Sequence, residues 1–150
     1  MPTILIAEDD LLVADMLERT VVEAGYQVCG IARTVSEGVV LGQLHRPELA
    51  IIDVRLAEGG FGTEIVARLR VCLPGLGVLY ATANAGSVRL TSDDGHACLG
   101  KPYSGPGIVQ ALKLVERLVG GDPAVPPFPV RFAFLAAPPR PDDSCGDAHG

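Results

Sequence analysis

The sequence predicts an α/β protein with a doubly wound parallel sheet and helices on both of its faces, on three observations. Five short apolar runs bounded by turn residues recur along the chain. Between them lie stretches whose apolar residues repeat at helical spacing, the alternation that builds crossover-connected parallel strands. Four of the five runs also stop on chemistry-bearing residues, Glu8-Asp9, Asp53, Thr82 and Lys101.

The first strand is Ile4-Leu5-Ile6-Ala7, which ends on Glu8-Asp9-Asp10. Residues 11–24 carry Val13, Met16, Leu17, Val21 and Ala24 at helical spacing, and Gly25 follows as a stop. Residues 26–31 form the second strand. Thr34-Val35-Ser36-Glu37 is a capping box that opens a helix running toward Arg46 and closed by Pro47.

The third strand, Leu49-Ala50-Ile51-Ile52-Asp53, is a Val/Ile/Leu-type run of the sort buried on both faces, and it ends abruptly on a carboxylate. Ile65, Val66, Leu69, Cys72 and Leu73 mark the next helix, stopped at Pro74-Gly75. Val78-Leu79-Tyr80-Ala81-Thr82 is the fourth strand. Residues 83–95 are weakly patterned, with a short helix expected around Ser87 to Ser92. Ala97-Cys98-Leu99-Gly100 is a fifth strand leading into Lys101-Pro102. Ser104 caps a last helix with an apolar stripe of Ile108, Ala111, Leu112, Val115, Leu118 and Val119. The domain is expected to span residues 1–119, and Gly120-Gly121-Asp122-Pro123 opens a Pro-rich tail over residues 120–150.

Bulk properties narrow the function. The 150 residues suit one domain, and 48% hydrophobic with 20% charged residues is a globular composition. No apolar run approaches the ~20 residues that cross a bilayer, and the start of the sequence has no basic region of the kind that opens a signal peptide. The expectation from these readings is a cytoplasmic protein with no membrane partner. A net charge of −6 with 12 scattered Lys and Arg argues against a direct nucleic-acid partner. Cys29, Cys72, Cys98 and Cys145 show no C-x-x-C spacing and read as core thiols.

In a parallel sheet the carboxyl ends of the strands share one edge, where ligands bind. Glu8, Asp9 and Asp53 gathered there repel one another unless a cation sits among them. Hard oxygen donors without His or Cys, in an incomplete set, suit Mg2+. With the Thr82 hydroxyl and the Lys101 ammonium added, the set fits phosphoryl transfer to a carboxylate, with Asp53 as nucleophile.

These residues resemble the receiver domains of two-component response regulators. The likeness covers residues 3 to about 119 and rests on Ile4-Leu5-Ile6-Ala7-Glu8-Asp9, the strand ending in Asp53, Ala81-Thr82-Ala83 and Lys101-Pro102. It implies a flavodoxin-like (βα)5 sheet of order 2-1-3-4-5. It also implies that Asp53 is the phosphoacceptor and that Asp9 ligates Mg2+ directly. Glu8 would do so through water, with the backbone carbonyl of Arg55 as a further ligand. Thr82 and Lys101 would bind the phosphoryl group and signal its presence.

The chain departs from that pattern in places. The switch position three before the lysine, often aromatic, is Cys98, and the loop after Asp53 carries Ala57 where Pro is common, an exchange expected to leave it more mobile. Arg55 and Asn84 hold the positions that border the site in the family.

The resulting expectation is a single-domain response regulator that takes phosphate from a histidine kinase or phosphotransfer protein and changes its affinity for an unknown output protein. It would be a phosphoacceptor switch rather than an enzyme, limited to self-phosphorylation and self-dephosphorylation, and a homodimer is open to it. Two other readings are a phosphorylation-independent receiver-like interaction module and a small Mg2+-dependent phosphohydrolase using Asp53. Arg55 stands where such phosphatases commonly carry a second Asp, which counts against the last.

Other signals are structural. Gly60-Phe61-Gly62 lacks the remainder of a dinucleotide fingerprint and reads as a loop. His45, His96 and His149 are isolated, with His96 read as a solvated loop residue, and Asp93-Asp94-Gly95 as a solvated turn. In the tail, Phe128, Val130, Phe132 and Phe134 alternate with other residues, and three of the chain's four Phe lie there. That pattern predicts an extended docking segment over residues 128–135, seated on its own domain, on a second copy or on a partner. Residues 136–150 read as disordered.

Overall fold

The computed structural model describes residues 2–83 and 90–137. Its elements are β1 (Thr3–Ala7), α1 (Leu11–Glu23), β2 (Gln27–Ala32), α2 (Val35–His45), β3 (Leu49–Asp53), α3 (Gly62–Cys72), β4 (Gly77–Thr82), β5 (Ala97–Gly100), α4 (Gly105–Val119) and β6 (Phe132–Phe134). One sheet runs in the order β2-β1-β3-β4-β5-β6. The first five strands are parallel in the predicted 2-1-3-4-5 order, and β6 adds antiparallel to β5.

Strand alternation sorts side chains into two cores, because successive residues point to opposite faces. Ile4 and Ile6 of β1, Leu49 and Ile51 of β3, and Ala97 and Leu99 of β5 face Leu17 and Val21 of α1 and Ile108, Ala111, Leu112 and Val115 of α4. Leu5, Ala7, Ala50, Ile52, Val78 and Tyr80 face Ile65, Val66 and Leu69 of α3, with Val35 and Leu41 of α2 packed alongside. The sheet is therefore covered on both sides, which explains why β3 and β4 are buried along their whole length.

Caps set the helix starts. Asp10 accepts from the Leu12 and Val13 amides, Thr34 from Glu37, and Ser104 from Gly107. Asp10 directly before the periodic run is the sequence signal for the first of these. On α2, Gly38 and Gly42 lie one turn apart, and a Cβ at either would overlap the side chain of Ile65 or Leu69, so the two glycines let α3 pack closely.

Several expectations need correction. The second strand starts at Gln27 rather than Tyr26, because Tyr26 turns into the core and its hydroxyl bonds Glu116. The apolar stripe of α4 includes Leu114, which is buried, whereas Val119 is 43% exposed at the C-terminal end. His96 is half-buried, and its Nδ1 accepts from the Val78 amide at 3.1 Å. Burial, and then the charge of Arg70, hold this imidazole below its ordinary value, so it is a neutral strand-end lock. The expected helix around Ser87 to Ser92 lies mostly outside the described residues, as does Asn84; positions 90–92 are not helical. Cys29, Cys72 and Cys98 are free thiols, and Cys145 and His149 fall outside the described residues. No helix among the described residues is long and apolar enough to cross a membrane.

Candidate functional site

The register of the sheet fixes where the strands end. Ala7 pairs with Ile52, Asp53 with Ala81, and Thr82 with Gly100, so the residues just beyond β1, at the ends of β3 and β4, and just beyond β5 meet at one edge. Main-chain bonds continue the alignment past the strands. Glu8 donates to the Ala32 carbonyl at 2.9 Å, Val54 to Ala81 at 3.3 Å, and Lys101 to Thr82 at 2.8 Å. Side chains scattered along the sequence are thus brought together by backbone that has almost no freedom.

At this edge the Lys101 ammonium stands between two carboxylates, 2.8 Å from Glu8 Oε1 and 3.1 Å from Asp53 Oδ2. Glu8 is 1% exposed and Asp53 9%. The second oxygen of Glu8 accepts from the Asp10 amide, and Asp53 Oδ1 accepts from the Arg55 amide at 3.3 Å. One oxygen each of Glu8, Asp9 and Asp53 lie within 4.8 Å of one another. Such an all-oxygen, acid-rich set fits a hard divalent cation.

Burial pushes the Glu8 carboxyl above the usual range; Lys101 and the Asp10 amide oppose this, while nearby Asp53 adds to it. For Lys101, burial by itself works against the charged form, but Glu8 and Asp53 outweigh it and hold the ammonium above its ordinary value. Lys101 is therefore a fixed cation that spans two acids.

The predicted residues divide as follows. Glu8, Asp9, Asp53 and Lys101 converge, and Thr82 is buried at the adjoining strand end. Arg55 lies against Asp53 through its amide, with its neighbours held in a compact loop by Leu56 N–H to Gly60 and Ala57 N–H to Arg33. Cys98 is half-buried opposite Ala133 of β6, and burial holds its thiol up in the neutral form. Phe128, Phe132 and Phe134 pack against one another with ring centroids 4.8 to 6.0 Å apart, Phe134 edge-on to the other two, while Val130 points to solvent.

Sequence reasoning missed Tyr103. Its ring packs against the core under α1, and it shares a cavity with Val13, Met16, Ala83 and Lys101. Its hydroxyl is buried without a hydrogen-bond partner among the described residues, and burial pushes its pKa up to about 12. A buried unpaired hydroxyl costs about 1–3 kcal/mol. Tyr103→Phe is accordingly expected to stabilise the unphosphorylated protein by about 1 kcal/mol in urea denaturation; a loss of stability would show that the hydroxyl is satisfied. The only sequence signal is an aromatic residue two positions beyond the lysine.

No family profile matches the chain. Individual relatives do. The transcriptional regulatory protein PdtaR of Mycobacterium tuberculosis is 33% identical over 114 residues, which are 74% of this chain and 55% of that protein. The photosynthetic apparatus regulatory protein RegA of Rhodovulum sulfidophilum is 33% identical over 136 residues, 85% of this chain and 67% of that protein. A crystal structure of a CheY-like response regulator receiver domain protein from Methanospirillum hungatei JF-1 superposes with a TM-score of 0.68 at 22% identity, over 81% of this chain and 98% of that one, and shows the shared fold. The chain spans just over half the length of the first curated relatives it matches. With the relatives' sequence likeness and the strand-end geometry in agreement, the chain belongs to the response regulators, with the fold of their receiver domain.

Proposed function

We propose that Asp53 is the phosphoacceptor of this receiver, taking its phosphoryl group from a histidine kinase or phosphotransfer protein. The observation that carries this is the Lys101 ammonium held against Asp53 and Glu8, at 3.1 and 2.8 Å, beside three carboxylates whose oxygens lie within 4.8 Å. An Asp53 oxygen attacks the phosphorus, the bond from phosphorus to the donor atom breaks, and the donor leaves with the electron pair.

Glu8, Asp9, Asp53 and the Arg55 carbonyl are the groups that would hold Mg2+. Bound there, the ion supplies positive charge to the phosphoryl oxygens. Lys101 neutralises a further oxygen, and the Thr82 hydroxyl donates to another. The Arg55 amide orients the attacking carboxylate through Asp53 Oδ1.

The phosphorylated form differs from the resting one in where Lys101 and Thr82 point. That difference shifts the population of conformations around Thr82 and Lys101 and so the affinity for an output protein. Because Cys98 carries no ring, the readout does not run through an aromatic rotamer at that position.

Incubation with acetyl phosphate and Mg2+ followed by intact mass measurement tests the proposal. One phosphoryl adduct per chain is expected, dependent on Mg2+ and lost in Asp53→Asn. An unmodified wild-type protein would favour the phosphorylation-independent module instead, and sustained turnover of phosphate esters would favour the phosphohydrolase.

A further inference from the structure

The tail residues that this function leaves unused reach the phosphorylation site through its lysine. β6 pairs with β5, Ala97 opposite Phe134, Cys98 opposite Ala133 and Leu99 opposite Phe132. Bonds extend the pairing at both ends. The Gly100 amide donates to the Arg131 carbonyl at 3.0 Å, Leu135 to His96 at 3.1 Å, and Ser92 to Ala136 at 2.9 Å. The approach to β6 is fixed as well, by Gln110 Nε2 donating to the Pro127 carbonyl at 2.6 Å and by the three packed Phe rings.

Arg131 is the residue at the turn into β6. Its backbone is left-handed, with φ of 63°, and its side chain lies over Gly100, where an added Cβ would be 3.1 Å from Arg131 Cβ. From there Nη1 donates to the carbonyl oxygen of Lys101 at 2.6 Å. Lys101 is thereby held at three points. Its amide is on the Thr82 carbonyl, its carbonyl is under the Arg131 guanidinium, and its ammonium lies between Glu8 and Asp53.

We propose that Arg131 is a positioning residue for Lys101, and that through this contact docking of β6 and phosphorylation of Asp53 stabilise each other. The inference rests on the phosphoacceptor reading above. On phosphorylation the ammonium must exchange an Asp53 oxygen for a phosphoryl oxygen while its main chain stays in place. A tethered carbonyl confines that movement to the side chain and keeps the nitrogen within reach of the new group. Losing the tether frees residues 100–102 and weakens the engaged state more than the resting one. Linkage then requires the reverse effect by the same factor: whatever tail docking contributes to phosphoryl binding, phosphoryl binding returns to tail docking.

Beryllofluoride, a non-covalent mimic of the phosphoryl group, gives an equilibrium test on the full chain. Its affinity in the presence of Mg2+ is measured by 19F NMR for wild type, Arg131→Ala and Arg131→Lys, together with hydrogen exchange of residues 131–136 with and without the mimic. Arg131 is exposed, so both variants are expected to fold. The proposal predicts about fivefold weaker binding in Arg131→Ala, partial recovery in Arg131→Lys, and slower exchange of β6 on binding by a similar factor in wild type, reduced in Arg131→Lys and lost in Arg131→Ala. Equal affinity in all three proteins, or β6 exchange that ignores the mimic, would overturn the coupling while leaving Asp53 as acceptor. Failure of wild type to bind the mimic at all would instead count against the phosphoacceptor reading.

Discussion

Gly62→Ala is expected to lower stability by about 1–3 kcal/mol or more and to displace Asp53. A Cβ at Gly62 would overlap both the Asp53 carbonyl oxygen and Ile52 Cγ2. The first of these is backbone of a central strand and cannot swing aside. The Gly62 amide also donates to the Val54 carbonyl at 2.8 Å, so α3 is tied to the chain just where the added methyl would push it away. Relief has to come from lifting the start of α3 off β3, which moves the residue that carries the proposed acceptor. Gly75→Ala is the control, because a Cβ added there would meet nothing within 4 Å and the backbone is ordinary. That change is expected to be neutral or to stabilise by about 0.4–1 kcal/mol through the unfolded chain. Urea midpoints of the two variants against wild type decide the matter.

Lys101→Met is expected to be the most costly change within the site. It leaves Glu8 and Asp53 buried together without their cation, and breaking a buried pair in this way typically costs about 3–5 kcal/mol. The cost depends on pH in a direction that the shifted groups fix. The Lys101 value is raised, so its contribution in wild type is fully present below the ordinary lysine pKa and is lost only as pH rises through the folded value. The Glu8 value is also raised, so the folded protein gains relative stability as pH falls through the folded Glu8 value and this acid takes up a proton. In Lys101→Met the penalty should therefore be greatest at neutral and mildly alkaline pH and shrink under mildly acidic conditions. Added Mg2+ should stabilise the variant more than wild type, since the emptied acid set no longer holds an ammonium. Urea denaturation of both proteins across this pH range, with and without Mg2+, checks the sign. A penalty that grows on acidification would contradict the assignment of Lys101 as the cation shared by the two acids.

The parts of the fold that are legible in the sequence are those where one local pattern has one structural solution. Leu49-Ala50-Ile51-Ile52-Asp53 has the length and composition of a doubly buried strand, and β3 spans those five residues. Once parallel strands are inferred, the gathering of Glu8, Asp9, Asp53, Thr82 and Lys101 at one edge follows from topology alone. Contacts that depend on three-dimensional neighbours are not legible. The alternation of Phe132 and Phe134 marks an extended segment, but it does not say that the strand pairs with Ala97 to Leu99 or runs antiparallel to them. His96 is an isolated histidine in the sequence, and only the arrival of Val78 gives its Nδ1 a donor. The bond from Arg131 to Lys101 joins residues 30 positions apart through a backbone carbonyl, which has no signature in residue type.

Whether Asp53 itself receives the phosphoryl group is open to direct chemical measurement. Hydride reduction of the phosphodonor-treated protein converts an aspartyl phosphate to homoserine, and peptide mass analysis then locates the converted residue. Conversion confined to position 53, and dependent on Mg2+ during the incubation, is the predicted result. Conversion at Glu8, Asp9 or any other acid with Asp53 intact, or no conversion of a protein whose fold is unchanged, would contradict it.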